Sequence, residues 1–540
     1  MNGSQAKTGD AAQLVATIME GVTRFHKQIS ARATLYSRPM AAALVALALT
    51  GSGCTSLSQW AHNGFKVGPN FDPPAATVAD SWIDQADPRV KNQPAQDRAW
   101  WTIFNDPTLN WLIGTACQQN LDLRTAGARI LEARARRNIA AGNLFPQSQS
   151  AVAAYAHAQL SQNLGLPFPT IVDLGATGFN AGWELDFWGR YRRTIESADA
   201  NLGAANESYG EILIMVLAEV ATNYVQLRTY EQRLAFAHEN VAIQERSLEL
   251  TKVRFEQGAG TELDVHQAAT NLEQTRSLIP PLVAGRRLAS NRLCTLLGMP
   301  PSDLASVLQP GGIPEAPVEV ALGIPADLLC RRPDVRRAEY QVVAQSAQIG
   351  IAEADFYPRL AVAGFIGYAA DDLSDLFQAN NFTAFILPNL QWNILNYGRI
   401  VNNVAAQEAK LQQATLQYEQ TVLAAGREVE DALVQFIQSQ QQTRHLEQAV
   451  VESEQTVDLT IRQFEGGITD FNRVYTTQSQ LVTQQDQLAQ SRGNIVLYLI
   501  QVFRAVGGGW EAFLNGEGMP EAITVGTPGP VSPLPEQPDQ

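Results

Sequence analysis

The chain has 540 residues, 45% hydrophobic and 17% charged, with a net charge of −15; it is long enough for several domains and too acidic to suggest a nucleic-acid partner. Its longest purely apolar run, Met40 to Leu49, falls well short of the roughly 20 residues a transmembrane helix needs. The six histidines, His26, His62, His157, His238, His266 and His445, form no metal-spaced pair, and there is no nucleophile motif or phosphate loop, so no enzyme, metal site or cofactor is expected.

Residues 1–53 read as a secretory signal. Lys7, Arg24, Lys27, Arg32 and Arg38 precede the apolar run, and Thr50-Gly-Ser-Gly-Cys54 follows it. Small residues before a cysteine suit lipid modification, so Cys54 is the expected attachment site for a lipid anchor carrying palmitate. Gly51 stands where that motif normally has an apolar residue, which leaves a plain signal peptide as the alternative, and Met19 is a second candidate start. Cleavage before Cys54 removes five basic and two acidic residues and moves the net charge to −18.

Residues 54–105, with the proline-bearing stretch Lys66-Val-Gly-Pro-Asn-Phe-Asp-Pro-Pro74, read as an extended arm. Asp106-Pro107 is a plausible helix cap, and helical pattern runs from there to about Asn143. Cys117, Cys294 and Cys330 lie far apart and read as buried or free thiols.

Strands follow at about 147–160 and around 179–187. In the second, Phe179, Ala181, Trp183, Leu185 and Phe187 alternate with Asn180, Gly182, Glu184 and Asp186, which predicts a two-faced strand. After Gly189-Arg190 no proline occurs until after Ile279, and Val220, Asn223, Leu227, Tyr230, Leu234, Ala237, Val241, Gln244, Leu248, Thr251 and Phe255 step by threes and fours. Such a stripe specifies coiled-coil packing. Gly258-Ala-Gly260 ends this rod, and a returning helix completes a hairpin with a free tip.

The pattern then repeats. Trp183-Glu-Leu-Asp-Phe-Trp-Gly-Arg190 returns 209 residues later as Trp392-Asn-Ile-Leu-Asn-Tyr-Gly-Arg399, and Ala140 through Pro146 returns at offset 212 as Ala352 through Pro358. A strand is expected at 359–370 and another bearing Leu390, Trp392 and Ile394 opposite Asn389, Gln391 and Asn393. Pro388 would sit better at an edge or bulge than in a central strand. The second rod carries the matching stripe from Val429 to Phe464 and ends at Gly466-Gly467. Two copies of one large half result, 106–320 and 321–510, followed by an acidic, proline-rich tail at 511–540 that reads as disordered.

Four strands cannot close a barrel or satisfy their edges in lipid, and outer-membrane barrels start at about eight strands. Several chains must therefore contribute, and three would give twelve strands. The Phe179/Trp183/Phe187 and Leu390/Trp392/Ile394 stripes would face lipid and the polar stripe a wet lumen. A small soluble sheet packed on helices is the plainer alternative.

Lys66-Val-Gly-Pro-Asn-Phe71, Arg254-Phe-Glu-Gln-Gly258, Gly323-Ile-Pro-Ala-Asp-Leu-Leu-Cys-Arg-Arg-Pro-Asp-Val335 and Ala505-Val-Gly-Gly-Gly-Trp510 resemble the TolC-like outer-membrane efflux proteins, in the lipoprotein branch containing OprM and the NodT group. Cys330 departs from the arginine frequent there. The resemblance implies a mainly α fold with β: a trimeric outer-membrane β-barrel, four strands per protomer, continuous with a long periplasmic α-helical barrel. It implies a homotrimer held in outer-membrane lipid and extending into the periplasm, docked to a periplasmic adaptor (membrane fusion) protein and an inner-membrane pump of the RND type. The expected function is the exit duct of a tripartite efflux pump for small toxic compounds. A type I secretion channel for polypeptides and a lipid-anchored periplasmic coiled-coil scaffold are the alternatives.

The resemblance also suggests an acidic ring at the periplasmic entrance, where threefold symmetry would gather three Asp470 carboxylates and favour cations. Arg473 could pair with such a carboxylate and hold the tips closed. The competing reading is that Asp470 simply caps the returning helix; Glu262 and Asp264 carry the same ambiguity, with capping favoured. Gly258, Glu262, Leu263, Asp264, Gly467 and Phe471 are the candidates for adaptor docking, with packing of a helical turn as the alternative role for Leu263 or Phe471. Arg331, Arg332 and Asp334 read as helix caps and anchors.

Overall fold

In a computed structural model, the described residues are 57–75, 77–92, 97–159, 171–304, 308, 311–322, 325 and 331–509. Cys54, Cys330, the signal region and the tail beyond Gly509 lie outside them. The chain divides into two compact units.

The first unit comprises Met1–Phe71, Arg136–Ala198 and Ala344–Lys410. It opens with a short helix α1 (Leu57–His62) and holds four long strands: β2 (Ser148–Gln159), β3 (Ile171–Leu185), β5 (Arg359–Ala370) and β6 (Phe382–Gln391), where β1 (Val90–Asn92) and β4 (Val320–Leu322) belong to the other unit. The order is β2-β3-β5-β6, antiparallel throughout. Pro388 accordingly sits in a strand at the edge of the sheet. The register pairs Phe179 with Ile366, Trp183 with Val362, and Leu360 with Leu390. Directly opposed residues share a face, so Phe179, Trp183, Leu360, Ile366, Ile386 and Leu390 all point one way. Asn180, Glu184, Asn389 and Gln391 point the other.

Three strand boundaries differ from expectation. β3 ends at Leu185, so Phe187 leaves the expected apolar stripe of the strand and packs on Trp60 and Trp188 instead. β3 begins at Ile171, earlier than the alternation indicates, because Gly175-Ala-Thr-Gly178 places small residues on both faces. β6 stops at Gln391, so Trp392 and Ile394 lie beyond the ladder. Trp392 instead donates its indole N–H to Phe356 O at 2.9 Å. Trp183 donates to Leu144 O at 3.1 Å, the counterpart carbonyl in the first copy.

The arm is clamped within this unit. Arg193, only 3% exposed, donates to Val67 O (3.0 Å), Gly68 O (2.9 Å) and Asn70 Oδ1 (3.1 Å). Arg192 grips Gly64 O (2.6 Å) and Phe65 O (2.9 Å), which holds Phe65 at φ +62°, a conformation that costs an L-residue about 1 kcal/mol or more. Gly68 passes so close to Gly350 that a Cβ there would overlap its backbone.

The second unit comprises Asp72–Ala135, Asp199–Val343 and Leu411–Gln540. Helix α2 (Pro107–Gln119) starts as expected, with Asp106 accepting from Thr108 N and Leu109 N. The helical run does not continue unbroken to Asn143. Asn120 interrupts it by accepting from Asp122 N and Leu123 N and so capping a new helix, α3 (Leu121–Gly142), while its amide donates to Leu296 O at 2.9 Å. An internal cap of this kind satisfies backbone groups that a break would otherwise orphan.

The two rods, α4 (Arg190–Glu256) and α7 (Arg399–Glu465), are each 67 residues long, on the order of 100 Å. Their returning helices, α5 (Glu262–Leu296) and α8 (Phe471–Ala505), are each 35 residues; between them in sequence lies α6 (Pro333–Glu353). All four rod and return helices start at the 209-residue offset. α4 contains a stretch apolar enough to cross a bilayer by composition, but 61% of it is buried in the protein. It supplies Leu217, Val220 and Tyr224 to a core with Trp100, Leu112, Leu293, Phe436 and Leu499. Trp100 stacks on Phe503 at 5.5 Å, so Trp100, Trp101 and Phe104 of the arm contribute to this core.

The heptad stripes are buried or half-buried along both rods except at Phe255, which is 46% exposed. Arg332 donates to Asp334 (2.7 Å) and Glu428 (2.8 Å). Burial alone would raise the Asp334 pKa, and the arginine pair overrides it, so the carboxyl titrates below its ordinary value.

Candidate functional site

Both rods end in the same backbone device. At tip 1, Gly258 N bonds to Phe255 O (2.9 Å) and Ala259 N to Arg254 O (2.8 Å); at tip 2, Gly467 N bonds to Phe464 O (3.0 Å) and Ile468 N to Gln463 O (2.9 Å). Gly258 and Gly467 adopt φ +74° and +73°. This is the Schellman turn, whose left-handed residue suits glycine.

The return helices are capped differently. At tip 1 Thr261 and Asp264 form a reciprocal capping box: Asp264 N donates to Thr261 Oγ1 at 3.2 Å, while Thr261 N (2.9 Å) and Oγ1 (2.7 Å) donate to Asp264 Oδ2. At tip 2 Asp470 is the cap, accepting one bond from Arg473 N at 3.2 Å. Asp470 and Arg473 are both exposed. Among the described residues no ion pair joins their side chains, so within one chain the carboxylate keeps an uncompensated charge.

The tip residues divide by exposure. Leu263 is 65% exposed, and Glu262 lies 3.8 Å from His266 on the same helix. Phe471 is 1% exposed, packed edge-to-face on Phe464 at 5.5 Å in a small core with Ala268 and Val474. That corrects its expected place among the docking contacts: the ring supports the tip from inside and presents no surface. Ile468, 78% exposed, is the apolar residue that tip 2 displays, and the sequence reading missed it.

Arg254 was also missed as a working residue. It donates to Phe464 O and, at 3.3 Å, to Glu465 O, and its guanidinium lies 4.6 Å from the Phe464 ring centroid. One side chain from tip 1 thus caps the rod end of tip 2, where cations are favoured. The available signal was the duplication itself, since position 463 carries Gln in the second copy.

Among the described residues no group of three or more His, Cys, Asp or Glu is placed to hold a metal ion. Cys294 is buried, and burial pushes the Cys117 thiol up to about 12. The two tips, tied by Arg254, show Leu263, Ile468 and the charges of Glu262, Asp470 and Arg473.

A family description, outer membrane efflux protein, matches the chain twice, over residues 112–299 and 324–508, one match per copy of the repeat. Nodulation protein T of Rhizobium leguminosarum bv. trifolii is 30% identical over 79% of this chain and 91% of its own length. A toluene efflux pump outer membrane protein, TtgF of Pseudomonas putida, is 28% identical over 86% of this chain and 96% of its own. Among solved structures, the outer-membrane channel OprN superposes with a TM-score of 0.79 at 30% identity, covering 82% of this chain and 99% of that one. Mostly helical with a four-stranded antiparallel sheet, and matched in fold to outer-membrane channels over nearly their full length, this chain belongs to the outer membrane efflux protein family.

Proposed function

We propose that the chain is the outer-membrane exit duct of a tripartite efflux pump, working as a homotrimer whose twelve strands close a barrel and whose helical hairpins form the passage beneath it. The observation that carries this reading is the register of the sheet. It gathers Phe179, Trp183, Ile366, Ile386 and Leu390 on one face, while among the described residues neither edge of the four strands has a partner strand. Such a sheet is viable in lipid only when other copies complete it, and the outer face then meets acyl chains.

In this reading a lipid on Cys54 anchors the arm that Arg192 and Arg193 clamp to the base of the strands. Glu262, Leu263 and Ile468 meet the adaptor, and Gly258 and Gly467 shape the tips that do so. Three Asp470 carboxylates, one from each copy, form a ring at the entrance. Arg473, three residues along the same helix, is a cation able to pair with Asp470 of a neighbouring copy. An inner-membrane pump of the RND type supplies the energy and selects the cargo. Deleting the gene should sensitise cells to small toxic compounds, and purified protein should run as a trimer that conducts in a planar bilayer. Unchanged sensitivity together with absent conductance would sink the proposal.

A further inference from the structure

The sheet face opposite the apolar one is built mostly of small and polar residues. Ala154, Ala176, Gly178, Ala363 and Gly367 make up much of its middle, where Asn180 stands directly opposite Phe365, and Glu184 and Gln391 lie toward one end. Two rings interrupt this pattern. Phe365 and Phe385 are directly opposed across β5 and β6, half-buried, with centroids 5.8 Å apart and planes inclined by 30°.

Phe365 lies over a pair of opposed glycines. A Cβ on Gly178 would stand 2.9 Å from the ring, and one on Gly367 2.8 Å from it. Bare backbone at both positions is what lets the ring lie down against the sheet. Shielding of glycine by an aromatic neighbour accounts for Phe365 as a packing device. It does not account for Phe385, whose ring is not among the nearest neighbours of any glycine in the sheet. With Leu387, which stands on the same face two residues along β6, the pair forms an apolar platform on a wall otherwise made largely of small residues.

The charges on this face set a preference. Arg359 is held by Asp355 at 2.7 Å, whereas Glu184 has no ion-pair partner among the described residues. Glu184 opposes Ala361, four residues along β5 from Phe365, or about 13 Å at the usual strand rise. Ring faces favour positive charge, and Glu184 adds to that only weakly, since about 13 Å exceeds the screening length of about 8–10 Å at ordinary salt.

We infer that Phe365 and Phe385 form a stacking site in the wall of the duct for flat aromatic solutes, with cations preferred over anions. This rests on the duct reading, because closure of the sheet into a barrel is what turns this face into a lumen wall; three copies would then set six rings at one level. The site holds solute briefly in passing, as a weak stacking contact does.

The test uses full-length protein reconstituted in vesicles, with proflavine as the flat cation, anthraquinone-2-sulfonate as the flat anion and tetraethylammonium as the non-aromatic cation. Proflavine binding is read by fluorescence anisotropy against protein-free vesicles, and conductance is recorded from the same preparation. The expected result is saturable proflavine binding weakened about tenfold by Phe385→Leu, which keeps apolar bulk and removes the ring. Tetraethylammonium and the anion should compete poorly. Phe385→Ser serves as a second variant should the leucine protein fail to assemble. Conductance accompanied by proflavine binding that is indifferent to both substitutions would overturn the site and leave the duct standing. Binding that depends on Phe385 in protein that never conducts would overturn the duct, and with it the placement of this site in a lumen.

Discussion

Tip 1 and tip 2 share a Schellman turn, a 67-residue rod and a 35-residue return helix, yet their side chains are used differently. In tip 1 Asp264 is consumed by the capping box with Thr261, and the position matching Phe471 is the exposed Glu262. Tip 2 supplies Phe464, Phe471 and Val474 to a small core completed by Ala268 of α5 and leaves the Asp470 carboxylate nearly free. A duplicated hairpin has thus become a supporting tip and a displaying tip, with Arg254 as the tie. The lesson is that one backbone fixed twice leaves the loop side chains free to specialise.

The sharpest way to break that comparison is to exchange the matched positions. Phe471→Ala removes a ring that is 1% exposed and should cost about 3–5 kcal/mol. It would be seen as hydrogen exchange across residues 462–475 accelerated more than about 100-fold. Glu262→Ala, at the equivalent exposed position, should stay within about 0.5 kcal/mol. Equal effects would mean that the two tips are packed alike.

Next in size is Arg254→Ala. It deletes the charged donor to Phe464 O and Glu465 O and should cost roughly 1–2 kcal/mol, with both tips exchanging faster together. Acceleration confined to tip 1 would show that Arg254 does not couple them.

The smallest effect concerns the arm, which braces the second rod. Arg89 donates to Ile437 O at 2.9 Å and is held by Asp87 at 2.6 Å. The Arg89 hydrogen bond lowers the Asp87 pKa from 3.8 to about 2. A depressed carboxyl contributes stability that is fully present above its unfolded pKa and is lost as pH falls through the folded one. Protection of residues 82–92 should therefore decline between about pH 4 and pH 2, and Asp87→Asn should remove that pH dependence. A profile unaltered by the substitution would assign the loss to other groups.

Much of this fold was legible in the sequence because periodicity reports burial. The rods, the strands at 148–159 and 359–370 and the glycine turns follow from spacing alone. Legibility failed where local chemistry overrides period. Asn120 caps a helix inside a helical pattern, Gly175 to Gly178 carry no alternation, and Pro280-Pro281 sit within α5 without ending it. At the tips, the turns, the Asp470 cap and a capping role for Asp264 could be read, whereas Thr261, which caps α5, was not, and no pattern distinguishes a buried Phe471 from a displayed one. That depends on Phe464 folding back against it, which is a tertiary fact. Arg254 escaped notice for the same reason, since its partners lie more than 200 residues away.

The central claim, that the free carboxylate of tip 2 governs the entrance and the spent one of tip 1 does not, is tested most directly by single-channel recording of Asp470→Asn beside Asp264→Asn. Asparagine can still cap α8 at position 470, and at position 264 its amide oxygen can still accept from Thr261, so both variants separate charge from fold. The account predicts that Asp470→Asn lowers cation selectivity and changes conductance while Asp264→Asn leaves both as in the parent channel. Identical behaviour of the two variants, or an effect from Asp264→Asn alone, would contradict it.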